Sequence, residues 1–196
     1  AVALFATDPH DPVLAAYRRV FPDLFQPLDV LDPELRRHLR YPRLFFLVQA
    51  RLLQEYHLER PEAFYAQEDL WQLPEDPDGS GDAAAGPVYA LLRLPGQPAP
   101  EFVLQIPFVA RERQNMTALL LARSDPPHYG ELWLLELPRE QQIPGPTQVR
   151  ALVEQDPVIS PQLSLWRQYG SDVELGRMRV VPLDSAFLYV QPLFLA

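Results

Sequence analysis

Proline sets the limits on what this chain folds into. It occupies 23 of 196 positions, about 12% against a typical ~5%. Each proline fixes φ and removes a backbone donor, so it starts a helix, ends one, or marks a sheet edge or a bulge. With only 8 Gly, proline and glycine together stay near ~16%, below the roughly 25–30% of a low-complexity chain. Apolar residues at 47% and charged residues at 22% are ordinary globular usage. A chain of this length buries roughly 70% of the surface that it exposes when unfolded. Collagen, coiled coil, disulfide scaffold and membrane-spanning fragment are all excluded.

Between the prolines, the hydrophobic periodicity changes once. Ala1-Val2-Ala3-Leu4-Phe5 reads as a strand. Asp11-Pro12 joins an N-cap to a proline at the first helical position, and Leu14, Tyr17, Val20 and Phe21 form one apolar stripe. Asp32-Pro33-Glu34 repeats the signal for a short helix that ends after Tyr41, at Pro42. A longer helix is predicted from Pro42, with Phe45, Val48, Leu52 and Tyr56 on one face. Arg60-Pro61-Glu62 starts another that carries Phe64 towards Trp71. Residues 75–86 (EDPDGSGDAAAG) break the composition and predict a mobile linker.

Strands follow at 88–94, 102–111, 116–123 and 131–137, with Arg113-Gln114 as a tight turn and Pro107 marking an edge or a bulge. Residues 147–155 and 160–169 read as helices, capped by Thr147 and Ser160, and 173–182 and 186–194 as the last two strands. The predicted class is α+β: a helical N-terminal third, then a mainly antiparallel sheet with two helices inserted before the last two strands. Residues 1–196 read as a single soluble domain, with 75–86 joining a helical lobe (1–74) to a β-rich lobe (87–196). The absence of an initiator Met and the opening strand read as a piece excised from a larger protein.

The net charge of −9 disfavours nucleic acid and anionic lipid head groups, which need a basic face. No Cys means no disulfide, thiolate metal site or Cys nucleophile. His10, His38, His57 and His128 have no metal-ligand spacing, and His128 reads as a turn residue. GxSxG, GxGxxG and the P-loop pattern are absent. Two facing carboxylates would suffice for glycoside hydrolysis, and their separation is not legible in a sequence.

Three local patterns carry chemistry. In Asp76-Pro77-Asp78-Gly79-Ser80-Gly81-Asp82, oxygen ligands at Asp76, Asp78 and Ser80 followed by Gly81 resemble the start of a calcium loop. The twelfth position is Pro87, where a bidentate Glu is wanted, so the alternative is a solvated acidic linker. In Arg111-Glu112-Arg113-Gln114-Asn115, two Arg forks beside Asn115 would clamp a carboxylate or phosphate. Its alternative is a charged hairpin end that keeps two apolar strands soluble. Gln141-Gln142-Ile143-Pro144-Gly145-Pro146-Thr147 reads as a rigid loop leading into a helix.

Several of these segments are similar to one bacterial family. They are Asp11 to Leu14, Phe21 to Phe25, His38 to Pro42, Phe64-Tyr65 with Glu68 to Trp71, Arg113 to Asn115, Ser124-Asp125 with Tyr129-Gly130, Gln142 to Pro146, Ile159-Ser160 with Leu163 to Leu165, and Leu188 to Val190. The chain resembles uncharacterised protein family 0182, bacterial multi-pass membrane proteins, from about Asp11 to Phe194. The resemblance implies a parent in the cell membrane whose transmembrane bundle is followed by a large extracytoplasmic domain, of which this chain is part. It carries over no catalytic or ligand residue. Gln191 stands where the resemblance leads one to expect Glu, so a carboxylate there is not an essential acid, base or metal ligand in this chain.

The reading that follows is a non-enzymatic extracytoplasmic domain that binds its own transmembrane region, an envelope component, a protein partner or a small ligand, with no cofactor beyond the calcium pattern. The alternatives are a ligand-sensing or gating domain of a transporter-like parent, using Arg111, Arg113 and Asn115, and an acid/base hydrolase of envelope material.

Overall fold

The structure, a computed structural model, describes residues 2–74, 86–168, 173–184 and 186–195. The linker pattern at 75–85 and with it Asp76, Asp78 and Ser80 lie outside the described residues.

Strand β1 (Leu4–Ala6) leads to helix α1 (Pro12–Val20), where the Asp11 carboxylate accepts the Leu14 N–H at 2.7 Å. Strand β2 (Phe25–Pro27) then returns parallel to β1, with Leu4 opposite Phe25 and Ala6 opposite Pro27. A single 3-10 turn (Leu28–Val30) precedes helix α2 (Pro33–Arg37), capped by Asp32 through the Glu34 N–H. This helix stops at His38 rather than reaching Tyr41. Helix α3 (Arg43–Tyr56) starts directly after Pro42, and α4 (Pro61–Ala66) ends at Gln67, whose φ of 53° is left-handed.

A five-stranded antiparallel sheet forms the centre. It comprises β3 (Trp71–Gln72), β4 (Val88–Arg93), β5 (Pro100–Ala110), β6 (Met116–Arg123) and β7 (Leu132–Glu136). β6 and β7 extend the sheet on one side of β5; β4 and β3 share its other edge. β4 pairs with residues 100–105 and β3 with 109–110, so Pro107 sits in the gap between them, where its missing N–H costs no ladder bond. The bulge falls between Phe108 and Val109, not at the proline.

Both faces of the sheet are covered. Leu104, Ile106 and Phe108 of β5 and Ala118, Leu120 and Ala122 of β6 meet Tyr41, Phe46 and Ala50 on one side. On the other, Val103, Leu119 and Leu121 pack with Ala90, Leu92 and Val180. Each fully buried Phe or Leu here contributes roughly 1.5–3 kcal/mol in transfer free energy. This corrects the expected orientation of α3: Phe46 and Ala50 face the sheet, whereas Phe45, Val48, Leu52 and Tyr56 are exposed. The predicted α1 stripe fares the same way, because α1 buries no residue. The sheet meets α3 along the face that carries a small residue, Ala50, and allows close approach.

Helix α5 (Pro146–Gln155) begins behind Gly145 rather than at a Thr147 cap; Gln148 Oε1 accepts the Gly145 N–H at 3.0 Å. Helix α6 (Ile159–Gln168) is capped by Asp156, whose carboxylate accepts the Val158 and Ile159 N–H groups, instead of by Ser160. The two predicted final strands are four: β8 (Val173–Leu175), β9 (Arg179–Pro182), β10 (Phe187–Val190) and β11 (Leu193–Leu195). β9 pairs with β10 and β8 with β11, both antiparallel. Between these pairs the Gly176 N–H donates to the Pro192 carbonyl, and the Gln191 amide donates to the Gly176 carbonyl at 2.9 Å. A carboxylate at position 191 has no proton to give that carbonyl, which accounts for Gln there.

Candidate functional site

Among the described residues two charged side chains are buried, Arg123 and Arg150, and Arg123 is the deeper of them. Arg123, at the end of β6, is 1% exposed and is the largest fully buried side chain among the described residues. Its guanidinium grips Glu101 of β5 in a fork, through Nε to Oε2 at 2.7 Å and NH2 to Oε1 at 2.5 Å. NH1 reaches Glu131, just before β7, at 2.8 Å, and the guanidinium lies 4.8 Å from the Trp133 ring centroid. Burial works against the charged guanidinium, but Glu101 and then Glu131 outweigh it and raise its pKa. Burial likewise pushes the Glu131 carboxyl up; the hydrogen bond and charge of His128 and the guanidinium outweigh it and hold the group below its ordinary value. His128 is 3.0 Å from Glu131.

The loop after β6 belongs to the same assembly. Ser124 Oγ accepts the Tyr41 N–H, Asp125 accepts the Phe102 N–H at 2.7 Å, and the Tyr129 hydroxyl donates to the Arg40 carbonyl. Tyr89 donates to the Tyr41 carbonyl at 2.7 Å, and Arg40 lies over Phe102. Burial, first of all, raises the pKa of both Tyr41 and Tyr129. The segments His38 to Pro42 and Ser124 to Gly130 thus meet and fasten the helical layer to one end of the β5–β6 pair. Each nitrogen of the Arg123 guanidinium is engaged within the chain, so the cluster locks the loop instead of presenting a free cation to a ligand.

A second knot closes the other end. The turn after β5 is tied by the Arg113 and Gln114 N–H groups, both donating to the Ala110 carbonyl. Met116 N–H donates to Ile143 O, Asn115 bridges Pro144, and Tyr189 donates to the Pro144 carbonyl. Burial pushes the Tyr189 hydroxyl up to about 12. Gln148 Nε2 donates to the Arg113 carbonyl at 3.1 Å and approaches Asn115 Oδ1 at 3.5 Å. Three of the segments noted in the sequence, around Asn115, Gly145 and Tyr189, are therefore one packed unit.

The predicted clamp is divided by this geometry. Asn115 belongs to the knot, with its side chain against Gln148. Arg111 and Arg113 are exposed at its rim, and neither guanidinium has an ion pair among the described residues. Among the described residues, no group of three His, Asp or Glu is placed to hold a metal ion. A small, shallow crevice is lined by Pro74, Val88, Gln105, Pro107, Pro146 and Met178. Gln105 is buried there, and both atoms of its amide lack a hydrogen-bond partner. Sequence reasoning missed Glu101, Arg123 and Glu131. The available signal was Arg123, a lone charge ending an otherwise apolar strand.

The largest unsatisfied feature is apolar. Along α3, Leu44, Phe45, Val48, Leu52 and Tyr56 are all exposed, Leu44 at 76%. Val13, Tyr17 and Val20 of α1 are exposed too, and Phe21, Leu24, Val30 and Leu35 extend the pattern. Isolated surface apolar residues are unremarkable; a continuous apolar row along one side of a helix is not.

These features define an α+β domain, stapled at both ends of a central strand pair and open along its helical side. The chain belongs to the uncharacterised protein family UPF0182, whose family model matches residues 1–166. It is 46% identical over 199 residues to a UPF0182 protein of Cupriavidus necator, covering 99% of this chain and 22% of that relative. A UPF0182 protein of Bradyrhizobium diazoefficiens is 46% identical over 195 residues (99% and 21%), and one of Salinibacter ruber is 44% identical over 196 (99% and 21%). The chain thus spans only 21–22% of the length of these curated relatives. No solved structure matches it. No helix among the described residues is long and apolar enough to cross a membrane.

Proposed function

We propose that this chain is a non-enzymatic docking domain on the extracytoplasmic side of an integral membrane protein. The observation that carries the docking role is the exposed apolar row on α3, on the side of the helix away from the sheet. A patch of this kind serves association, whereas the titratable cluster that catalysis would need is, at Arg123, already paired. The membrane parent and its orientation are what the family resemblance implies. Protease added to spheroplasts making the full-length polypeptide tests the placement: digestion of this segment in intact spheroplasts supports it, and digestion only after lysis overturns it.

A second reading, ligand sensing, is favoured by the two exposed guanidinium groups at Arg111 and Arg113. A carboxylic acid at a hundred times its Kd would stabilise the chain by about 2.7 kcal/mol. Replacing both Arg111 and Arg113 with Ala would abolish that shift; an unchanged shift would remove this reading.

A further inference from the structure

The segment β1–α1–β2 is a parallel unit with almost nothing to hold it. Among residues 2–40 only Ala6 is buried, and none of them belongs to either core cluster. Its sheet has two strands of three residues each, and its helix has nine. Parallel strands occur with both faces covered, and a helix shorter than roughly 12–15 residues is marginal without tertiary packing. Here Leu4, Val13, Tyr17, Val20 and Phe21 are all exposed.

We infer that β1–α1–β2 is the outermost unit of a larger parallel sheet, whose next strand comes from the polypeptide outside these 196 residues and lies beside β1. The outer face of α3 packs against that same added polypeptide. The inference rests on the docking reading above and names the occupant. The relatives supply it: they match nearly all of this chain, yet it accounts for 21–22% of their length.

The side of growth is read from Pro27. A proline brings no N–H to a ladder and within sheets favours edge strands, first residues and bulges, so β2, which ends on Pro27, is assigned the rim and β1 the inner strand. A strand edge needs hydrogen-bonding partners, and lipid chains have none to offer, which favours polypeptide over bilayer. A second copy related by a two-fold axis in the sheet normal would present its edge antiparallel and would not continue the pattern. Charge agrees: residues 1–60 hold eight Arg against eight Asp and Glu, so this region is covered without burying formal net charge.

The chain has no Cys, so single-site labelling reads each face directly. Tyr17→Cys, Val48→Cys and, as control, Glu112→Cys are made in this chain alone and in the full-length family polypeptide that carries it. Maleimide labelling is quantified at each site by mass spectrometry. The expected result is comparable labelling of all three in the chain alone. In the full-length polypeptide, Tyr17→Cys and Val48→Cys slow at least tenfold, both in bilayers and after detergent extraction. Amide exchange at residues 4–6 slows in parallel. Protection that vanishes in detergent identifies lipid, and protection in the chain alone that grows with its concentration identifies a second copy. Either result overturns the occupant and leaves docking standing. Unchanged labelling and unchanged exchange in the full-length polypeptide overturn both.

Discussion

Gly145 lies so close beneath Gln114 that a Cβ at position 145 would overlap the Gln114 carbonyl oxygen and come within 2.7 Å of Val109 Cγ1. Its φ of −75° suits any residue, so glycine is required here by proximity, not by backbone conformation. The obstacle is backbone, which yields less readily than a side-chain tip. Gly145→Ala therefore costs about 1–3 kcal/mol, the usual toll of overpacking. Urea unfolding measures it. A stability equal to the parent's would mean that the knot around Asn115 and Pro144 is looser than described.

The Arg123 fork makes an asymmetric prediction. Arg123→Met leaves Glu101 mostly buried without its partner and lowers stability by about 3–5 kcal/mol. Adding Glu101→Leu removes the stranded charge and recovers most of that loss. If the double variant is no more stable than the single one, the loss comes from packing around Trp133 rather than from an orphaned carboxylate.

Acid should loosen the same corner. The Glu131 carboxyl titrates below its ordinary value in the folded chain, so the unfolded chain binds more protons between the two values. The resulting stability is present above the unfolded carboxylate value of about 4.3 and is lost as pH falls through the lower folded one. Glu131→Gln removes this component. Its urea midpoint, followed between about pH 6 and 2, falls less steeply than the parent's; parallel curves would show that Glu131 is not the group responsible.

Gln105 predicts a gain. Its buried amide has no hydrogen-bond partner in the protein, which without a compensating bond costs about 1–3 kcal/mol by mutational measures. Gln105→Met, similar in length, is expected to stabilise the chain by about 1 kcal/mol and raise Tm by roughly 2–4 °C. A destabilised variant would reveal that the amide binds something in the crevice beside Met178.

The strands between Val88 and Glu136 were legible because prolines, glycines and charges punctuate them at each end. The orientation of α3 was not. Phe45, Val48, Leu52 and Tyr56 satisfy helical spacing as well as Phe46, Ala50 and Leu53 do, and periodicity does not say which of two apolar sides meets the sheet. β2 was hidden because Phe25-Gln26-Pro27 is too short to display alternation. The buried charge cluster was hidden for a different reason. Glu101, Arg123 and Glu131 come from the ends of three neighbouring strands, and only their register brings them together.

The fastening between Tyr41 and Ser124 spans 83 residues of sequence. During synthesis, α3 therefore leaves the ribosome well before the β5–β6 pair that receives Phe46 and Ala50 exists. For that interval both of its apolar sides face solvent, and loop closure over such a distance is intrinsically slow. The nascent chain passes through its most aggregation-prone moment between translation of Tyr56 and of Arg123. A chaperone or a neighbouring stretch of the same polypeptide that shelters α3 then would act on yield rather than on final stability.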